Sequence, residues 1–302
     1  MMFFKAGDSK DALYSTCRDK KEYLEIRQGI EDIWADYEPY CGDGPDNFIV
    51  EAMKHFNGQV WHLFLANLFQ RNGFKLRRTS TGQPDLCIEQ NGKSIWVEAV
   101  SVTVGNGPDK APGIEYYSEI NGFFQPSDTQ IQLRLSNAFD SKYVQLSKNI
   151  ANGLIGKDDL CVIAVNSGEV LMSGFTPDYS NMFKVLYKVG GTHYSYDRKT
   201  HQGQLEIKRR ESLIKKSSTS FSVGYFEDPK YVRINGVIFC YESVFKLMAG
   251  NADEMEIIDN LLSGGRFLPS FLNCFGKRWI VKNDGMVCEH ATESANNTCD
   301  GK

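Results

Sequence analysis

Apolar residues recur at helical spacing in parts of this chain, and elsewhere fall into short unbroken runs or strand-like alternation. Leu13, Cys17, Tyr23, Ile26, Ile30 and Ile33-Trp34 form a broken stripe that predicts a helix within residues 8–36. Residues 37–46 are turn-rich, with Pro39, Gly42, Gly44 and Pro45. Val60-Trp61, Phe64-Leu65 and Leu68-Phe69 then keep an i, i+3/i+4 rhythm, which predicts a second helix over 47–72 ended by Asn72-Gly73. A first strand is expected at 74–78 and a turn at 79–83.

Residues 84–90 and 93–102 are apolar-rich runs joined by Asn91-Gly92, a dipeptide suited to a type I′ turn because both central positions need positive φ. That turn sets Gln90 opposite Lys93 and, counting outward, Asp85 opposite Glu98. Directly opposed Cβ atoms lie about 4.5–5.5 Å apart, and like charges there are destabilising.

An irregular stretch over 104–128, with Gly105, Gly107-Pro108, Pro112-Gly113 and Pro126, has the length of a functional loop. A helix over 129–152, with Asp128 or Thr129 as N-cap, and a buried strand at 160–165 come next. Residues 186–226 are polar, 232–241 hold the apolar run Val237-Ile238-Phe239-Cys240, 252–262 read as a short helix, and Arg278-Trp279-Ile280-Val281 as a last strand. The tail from Cys288 is expected to be disordered. This order predicts an α/β fold with a mixed central sheet flanked by helices. It divides into an N-terminal helical segment (1–47), a core (48–170), an extension of the sheet or small lobe (171–287) and the tail (288–302).

With 302 residues, 41% of them hydrophobic, the chain can bury a full core. A net charge of −4 excludes a globally basic nucleic-acid coat, so any polyanion must be met by local patches. Candidates are Lys75, Arg77 and Arg78, and a basic cluster of Lys208, Arg209, Arg210, Lys215 and Lys216 that could form a flexible phosphate-contacting arm. The eight cysteines include no C-x-x-C pair, which argues against a zinc ribbon or a disulfide scaffold. No signal-type apolar region and no span-length apolar run occurs, so a soluble cytoplasmic protein without membrane contact is the expectation.

Glu98 stands inside the apolar run Ile95-Trp96-Val97-Glu98-Ala99-Val100-Ser101-Val102, and an acid in such a run is rarely left unpaired. Asp85 follows Pro84, which marks a strand start. Two opposed acids call for positive charge between them, and a hard divalent cation with oxygen ligands fits that need. An ordinary hairpin with two solvated acids is the alternative.

Pro84-Asp85 on one hairpin strand, Glu98 on the next, then a long helix and a buried strand make the chain resemble the PD-(D/E)XK nuclease superfamily over about residues 55–166. More specifically it resembles a bacterial branch with Gly82-x-Pro84-Asp85, Trp96-x-Glu98-Ala99 and Gly105-x-Gly107-Pro108-Asp109, and with Phe226-Glu227-Asp228-Pro229-x-Tyr231 leading into Val237-Ile238-Phe239. The resemblance implies a restriction-endonuclease-like fold and a Mg²⁺- or Mn²⁺-dependent endonuclease acting on nucleic acid, DNA first, and it allows a homodimer. It implies that Asp85, Glu98 and the backbone carbonyl of Ala99 hold the metal.

The chain departs from the superfamily pattern where that pattern has a lysine two residues past the Glu, for Val100 stands there. Either catalysis is lost, leaving a nuclease-fold protein that binds nucleic acid or a protein partner, or a cation arrives from elsewhere. Lys142 is the substitute: it sits within the apolar stripe Leu135, Phe139, Leu146, Ile150 of the 129–152 helix, where a lysine must snorkel or pair with buried acids. Related nucleases often carry a Glu on the helix before the first strand. His62 takes that place here, and His62 and Asp109 are candidate supporting residues.

Overall fold

The computed structural model describes residues 1–90, 92–113, 128–171, 173–174, 178–249, 254–264, 266–282 and 285–290. Helices α1 (Ala12–Asp19), α2 (Leu24–Tyr37), α3 (Pro45–Ala52) and α4 (Phe56–Arg71) precede strands β1 (Lys75–Arg77), β2 (Leu86–Gln90) and β3 (Lys93–Ser101). Helix α5 (Asp128–Ala151), strand β4 (Leu160–Asn166) and helix α6 (Asn181–Leu186) follow. Two small ribbons come next, β5 (Val189–Asp197) with β6 (Gln202–Arg209) and β7 (Ser212–Ile214) with β8 (Ser220–Ser222). The chain then returns through β9 (Gly236–Cys240), α7 (Val244–Met248), β10 (Glu256–Asp259), α8 (Pro269–Leu272), β11 (Lys277–Lys282) and β12 (Gly285–His290).

The central sheet is mixed and has the order β1-β2-β3-β4-β9-β10-β11-β12. β3, β4 and β9 run parallel at its centre, with antiparallel pairs on either side. Every residue of β4 is buried, as expected of a parallel strand covered on both faces. Alternation along β3 sends Ile95, Val97 and Ala99 into a core shared with α2, α3 and α4, and turns Trp96 toward a second core built on α5 and α6. Helices therefore lie on both faces, as the sequence predicts.

Several expectations change in detail. The helix expected within 8–36 is two helices, with an extended turn at Lys20; the break lets Tyr14 and Cys17 reach the core from one helix and Ile30 and Trp34 from another. The helix expected over 47–72 is likewise broken, and residues near the N-terminus use the groups the break frees. Lys10 N and Asp11 N donate to Met53 O at 2.9 and 3.0 Å, and Asp11 Oδ2 accepts from Phe56 N at 2.9 Å. Asp11 thus caps α1 through one oxygen and opens α4 through the other. Residues 1–47 are in consequence part of the first core, where Phe3 and Trp34 are fully buried.

The short helix expected at 252–262 is instead strand β10, because Ile257 and Ile258 are hydrogen-bonded between β9 and β11 and tertiary pairing overrides local preference. Residues 288–290, expected in a disordered tail, belong to β12 and pair with β11; the rest of that tail lies outside the described residues. Of the later strands, β9 to β12 extend the central sheet, whereas β5 to β8 form the two separate ribbons. Among the described residues, no helix is long and apolar enough to cross a membrane.

Candidate active site

The β2–β3 register is the one the hairpin dictates: Gln90 faces Lys93, Ile88 faces Ile95 and Leu86 faces Val97. Gly92 has φ 76°, as the turn requires, whereas Asn91 lies outside the described residues. One step beyond Leu86 the ladder stops, and the Asp85 side chain replaces it: Oδ2 accepts from Ala99 N at 2.7 Å. Peptide N–H and C=O of one strand residue point to the same neighbour, so the Ala99 carbonyl also faces the Asp85 side.

Lys142 comes down from α5 between the acids. Its Nζ lies 3.1 Å from Asp85 Oδ2 and 2.8 Å from Glu98 Oε2, with the lysine side chain 15% exposed. Leu135, Phe139 and Leu146 bury the same stripe of α5, which fixes the helix rotation that delivers the ammonium. The register explains why a helix lysine reaches this spot. Positions 98 and 100 of a strand share a face, and this face is covered by α5; Val100 packs among the apolar residues beneath that helix while Lys142 fills the polar space beside Glu98.

Burial and the nearby Asp85 charge push the Glu98 carboxyl up to about 8, although Lys142 acts against them. Burial alone would raise Asp85 too, but Lys142 and the Ala99 N–H outweigh it and hold that carboxyl below its usual range. Burial works against the Lys142 charge, yet the two carboxylates prevail and raise it. Lys142 thus stands between Asp85, whose carboxyl is held toward the ionised form, and Glu98, whose carboxyl burial biases toward the protonated form.

His62 is buried on α4, with Nε2 2.7 Å from Tyr37 Oη and its ring edge-on to Tyr37 and Phe48. Burial takes its pKa down to about 4, so it is a neutral imidazole. His62 and Asp85 line one cleft of about 110 Å³ together with Gln59 and Tyr37. Gln59 is a residue that sequence reading missed. Its Oε1 is buried without a hydrogen-bond partner among the described residues, which leaves an orphan oxygen one helical turn from His62. The i, i+3 spacing of Gln59 and His62 was the available signal.

Other expected residues are engaged elsewhere. Asp109 Oδ1 accepts from Lys216 N at 2.9 Å, tying its loop to the β7–β8 ribbon instead of joining the acid pair. Arg77 stacks over the Trp96 ring at 4.6 Å and pairs with Glu89 at 3.5 Å, which spends much of its charge locally. Lys75 and Arg78 are exposed. The Lys208–Lys216 segment is not a flexible arm, since ribbon pairing orders it. Arg209 pairs with Glu227, and Arg210 Nη1 donates to Gln132 Oε1 at 3.0 Å on α5.

Among the described residues there is no group of three or more His, Cys, Asp or Glu side chains suited to a metal. In comparisons with known proteins, no family model, no curated protein and no solved structure matches the chain.

Proposed function

We propose that this protein is a divalent-metal-dependent endonuclease with a restriction-endonuclease-like fold of the PD-(D/E)XK kind, hydrolysing phosphodiester bonds in DNA. The observation that carries the reading is the Lys142 ammonium 3.1 Å from the half-buried Asp85 carboxyl and 2.8 Å from the buried Glu98 carboxyl at the end of a paired hairpin. A structural ion pair needs one acid per lysine. Here two acids, one of them buried to 4% exposure, converge on a single cation.

The donor set fits a hard cation. Asp85 and Glu98 supply carboxylate oxygens, the Ala99 carbonyl faces the same side, and the orphan Gln59 Oε1 lines the adjoining cleft. Bound Mg²⁺ or Mn²⁺ would supply Lewis acidity and a more acidic water. The chain's own groups do the rest. Lys142, a three-donor cation, can orient a water or neutralise charge on a phosphoryl oxygen. The Ala99 N–H fixes the rotamer of Asp85, and the Glu98 carboxyl must give up its proton before it can act as a ligand.

Cleavage of single- and double-stranded DNA and RNA, each with Mg²⁺ or Mn²⁺, tests the proposal. Activity should depend on metal and vanish in Asp85→Ala and Glu98→Ala; activity surviving both changes would end it. A second reading, a nuclease-fold protein that only binds nucleic acid or a protein partner, is favoured by one observation: Lys142 already pairs with both acids, and among the described residues no third acidic or imidazole ligand joins them. Calorimetric titration with Mn²⁺ separates the two, because only the first requires binding that is lost in Asp85→Asn.

A further inference from the structure

The β5–β6 ribbon takes no part in the site described, yet its exposed surface is unusual in composition. Residues 193–203 are solvent-exposed throughout. The register pairs Thr192 with Ile207, Tyr194 with Leu205 and Tyr196 with Gly203, so Tyr194, Tyr196 and Ile207 share one face. Tyr194 is 69% exposed and Tyr196 52%.

Tyr194 does not stand upright. Its ring leans across the ribbon so that a Cβ at Gly203 would collide with its Cζ and Oη; only glycine leaves room for that pose. Tyr196 Oη is 3.1 Å from His201 Nδ1, which steadies the second ring. Arg198 and Lys199 form the tip, and neither is in an ion pair among the described residues, while Asp197 is tied down by Lys199 N at 2.8 Å.

We infer that this ribbon is a docking arm for single-stranded nucleic acid, with Tyr194 and Tyr196 as stacking platforms for bases and Arg198 and Lys199 as phosphate contacts. The chemistry follows from the pairing of exposed π-faces with unpaired cations, which is how non-sequence-specific single-strand sites are built. An unstacked base offers a π-face to each ring, and the phosphates that flank it offer negative charge to the cationic tip. The inference rests on the nuclease reading only for choosing nucleic acid over other polyanions.

Anisotropy of a dye-labelled 20-mer oligo(dT), titrated with the full chain in EDTA so that no cleavage occurs, tests it. Tyr194→Ala and Tyr196→Ala should each weaken binding roughly tenfold, in line with base–aromatic stacking. Gly203→Val, which evicts the Tyr194 ring without removing it, should weaken binding similarly, and Tyr194→Phe should bind like wild type. Arg198→Ala and Lys199→Ala together should flatten the plot of log affinity against log salt by roughly 1.4, at about 0.7 for each released counterion.

Oligo(dT) binding that is absent in wild type or unchanged in the Tyr194/Tyr196 double variant would overturn the inference. So would sedimentation showing that the double variant turns a dimer into a monomer, which would make a second copy the occupant. Cleavage with Mg²⁺ is scored separately. Wild-type cleavage with tyrosine-independent binding sinks the arm alone, and tyrosine-dependent binding without cleavage sinks the nuclease reading alone.

Discussion

Replacing Lys142 by Met keeps the apolar stem of the side chain and deletes the charge that separates Asp85 from Glu98. At 3.1 Å, and with an effective dielectric of 20, the attraction to Asp85 is about 5 kcal/mol before desolvation is subtracted, and Glu98 adds a comparable amount only once its carboxyl ionises. Burial of all three groups offsets most of this. Breaking a buried pair by removing one partner typically costs about 3–5 kcal/mol. Glu98 can soften the loss by keeping its proton, because its carboxyl is already pushed up to about 8. The expected destabilisation of Lys142→Met is therefore at or below the low end of that range, about 2–3 kcal/mol at pH 6, and larger at pH 9, where Glu98 is forced to ionise beside Asp85. Urea unfolding at both pH values measures this, and Mn²⁺ should restore more stability to the variant than to wild type by replacing the missing charge. Cleavage should be lost at both pH values. A variant within about 0.5 kcal/mol of wild type at pH 6 and 9, or one that cleaves normally, would refute the reasoning, since a surface substitution away from any special feature behaves that way.

Glu98→Gln removes an acid whose folded-state pKa lies above its ordinary value, so the stability that Glu98 contributes is present below about 4.5 and lost as pH rises through about 8. The variant should therefore match wild type near pH 5 and exceed it by about 2–4 kcal/mol at pH 9 while losing cleavage; equal stabilities at pH 9 would contradict the assignment. Asp85 has the opposite sign: its pKa is lowered, so its contribution is present above the usual carboxylate range and is lost on acidification, and Asp85→Asn should narrow the difference in stability between pH 7 and pH 3. Metal binding should release protons near pH 7, because a Glu98 carboxyl biased toward its protonated form must deprotonate to bind; calorimetry of Mn²⁺ in two buffers of different ionisation heat reads this directly, and a buffer-independent heat would exclude Glu98 as a ligand. Gly105→Ala should loosen the 102–113 loop: the residue has φ 75°, and a Cβ there would fall 2.6 Å from Arg134 Nη1, whose Nε holds Thr103 O. Faster proteolysis in that loop, with a loss of roughly 1–2 kcal/mol, is the expected result.

Local chemistry made part of this protein legible before any coordinates. Asn91-Gly92 flanked by apolar runs fixes a hairpin register that the structure pairs as far as Leu86 and Val97, and extending it by one step sets Asp85 against Glu98. The stripe of Leu135, Phe139 and Leu146 equally marked Lys142 as a lysine facing the core, because helical periodicity is a property of the chain and not of its neighbours. Whether that lysine would snorkel or pair was beyond the sequence. The answer depended on α5 lying over β3 with a particular rotation and axial position, which packing of both cores decides. The same holds for Asp109, which turn chemistry singled out but the β7–β8 ribbon claimed, and for the Ile257-Ile258 segment, whose strand state exists only because β9 and β11 flank it. The clustered basic residues 208–216 read as an arm from composition, and long-range partners on α5 and at Glu227 ordered them instead. Gln59 shows the limit most plainly: an i, i+3 spacing from His62 occurs on any helix, and only burial without a partner among the described residues, beside His62 and Asp85, sets this amide apart. Periodicity and turn chemistry act over a few residues and are written in the chain, whereas the meeting of α4, β3 and α5 around one lysine and two acids is a consequence of how the whole molecule packs.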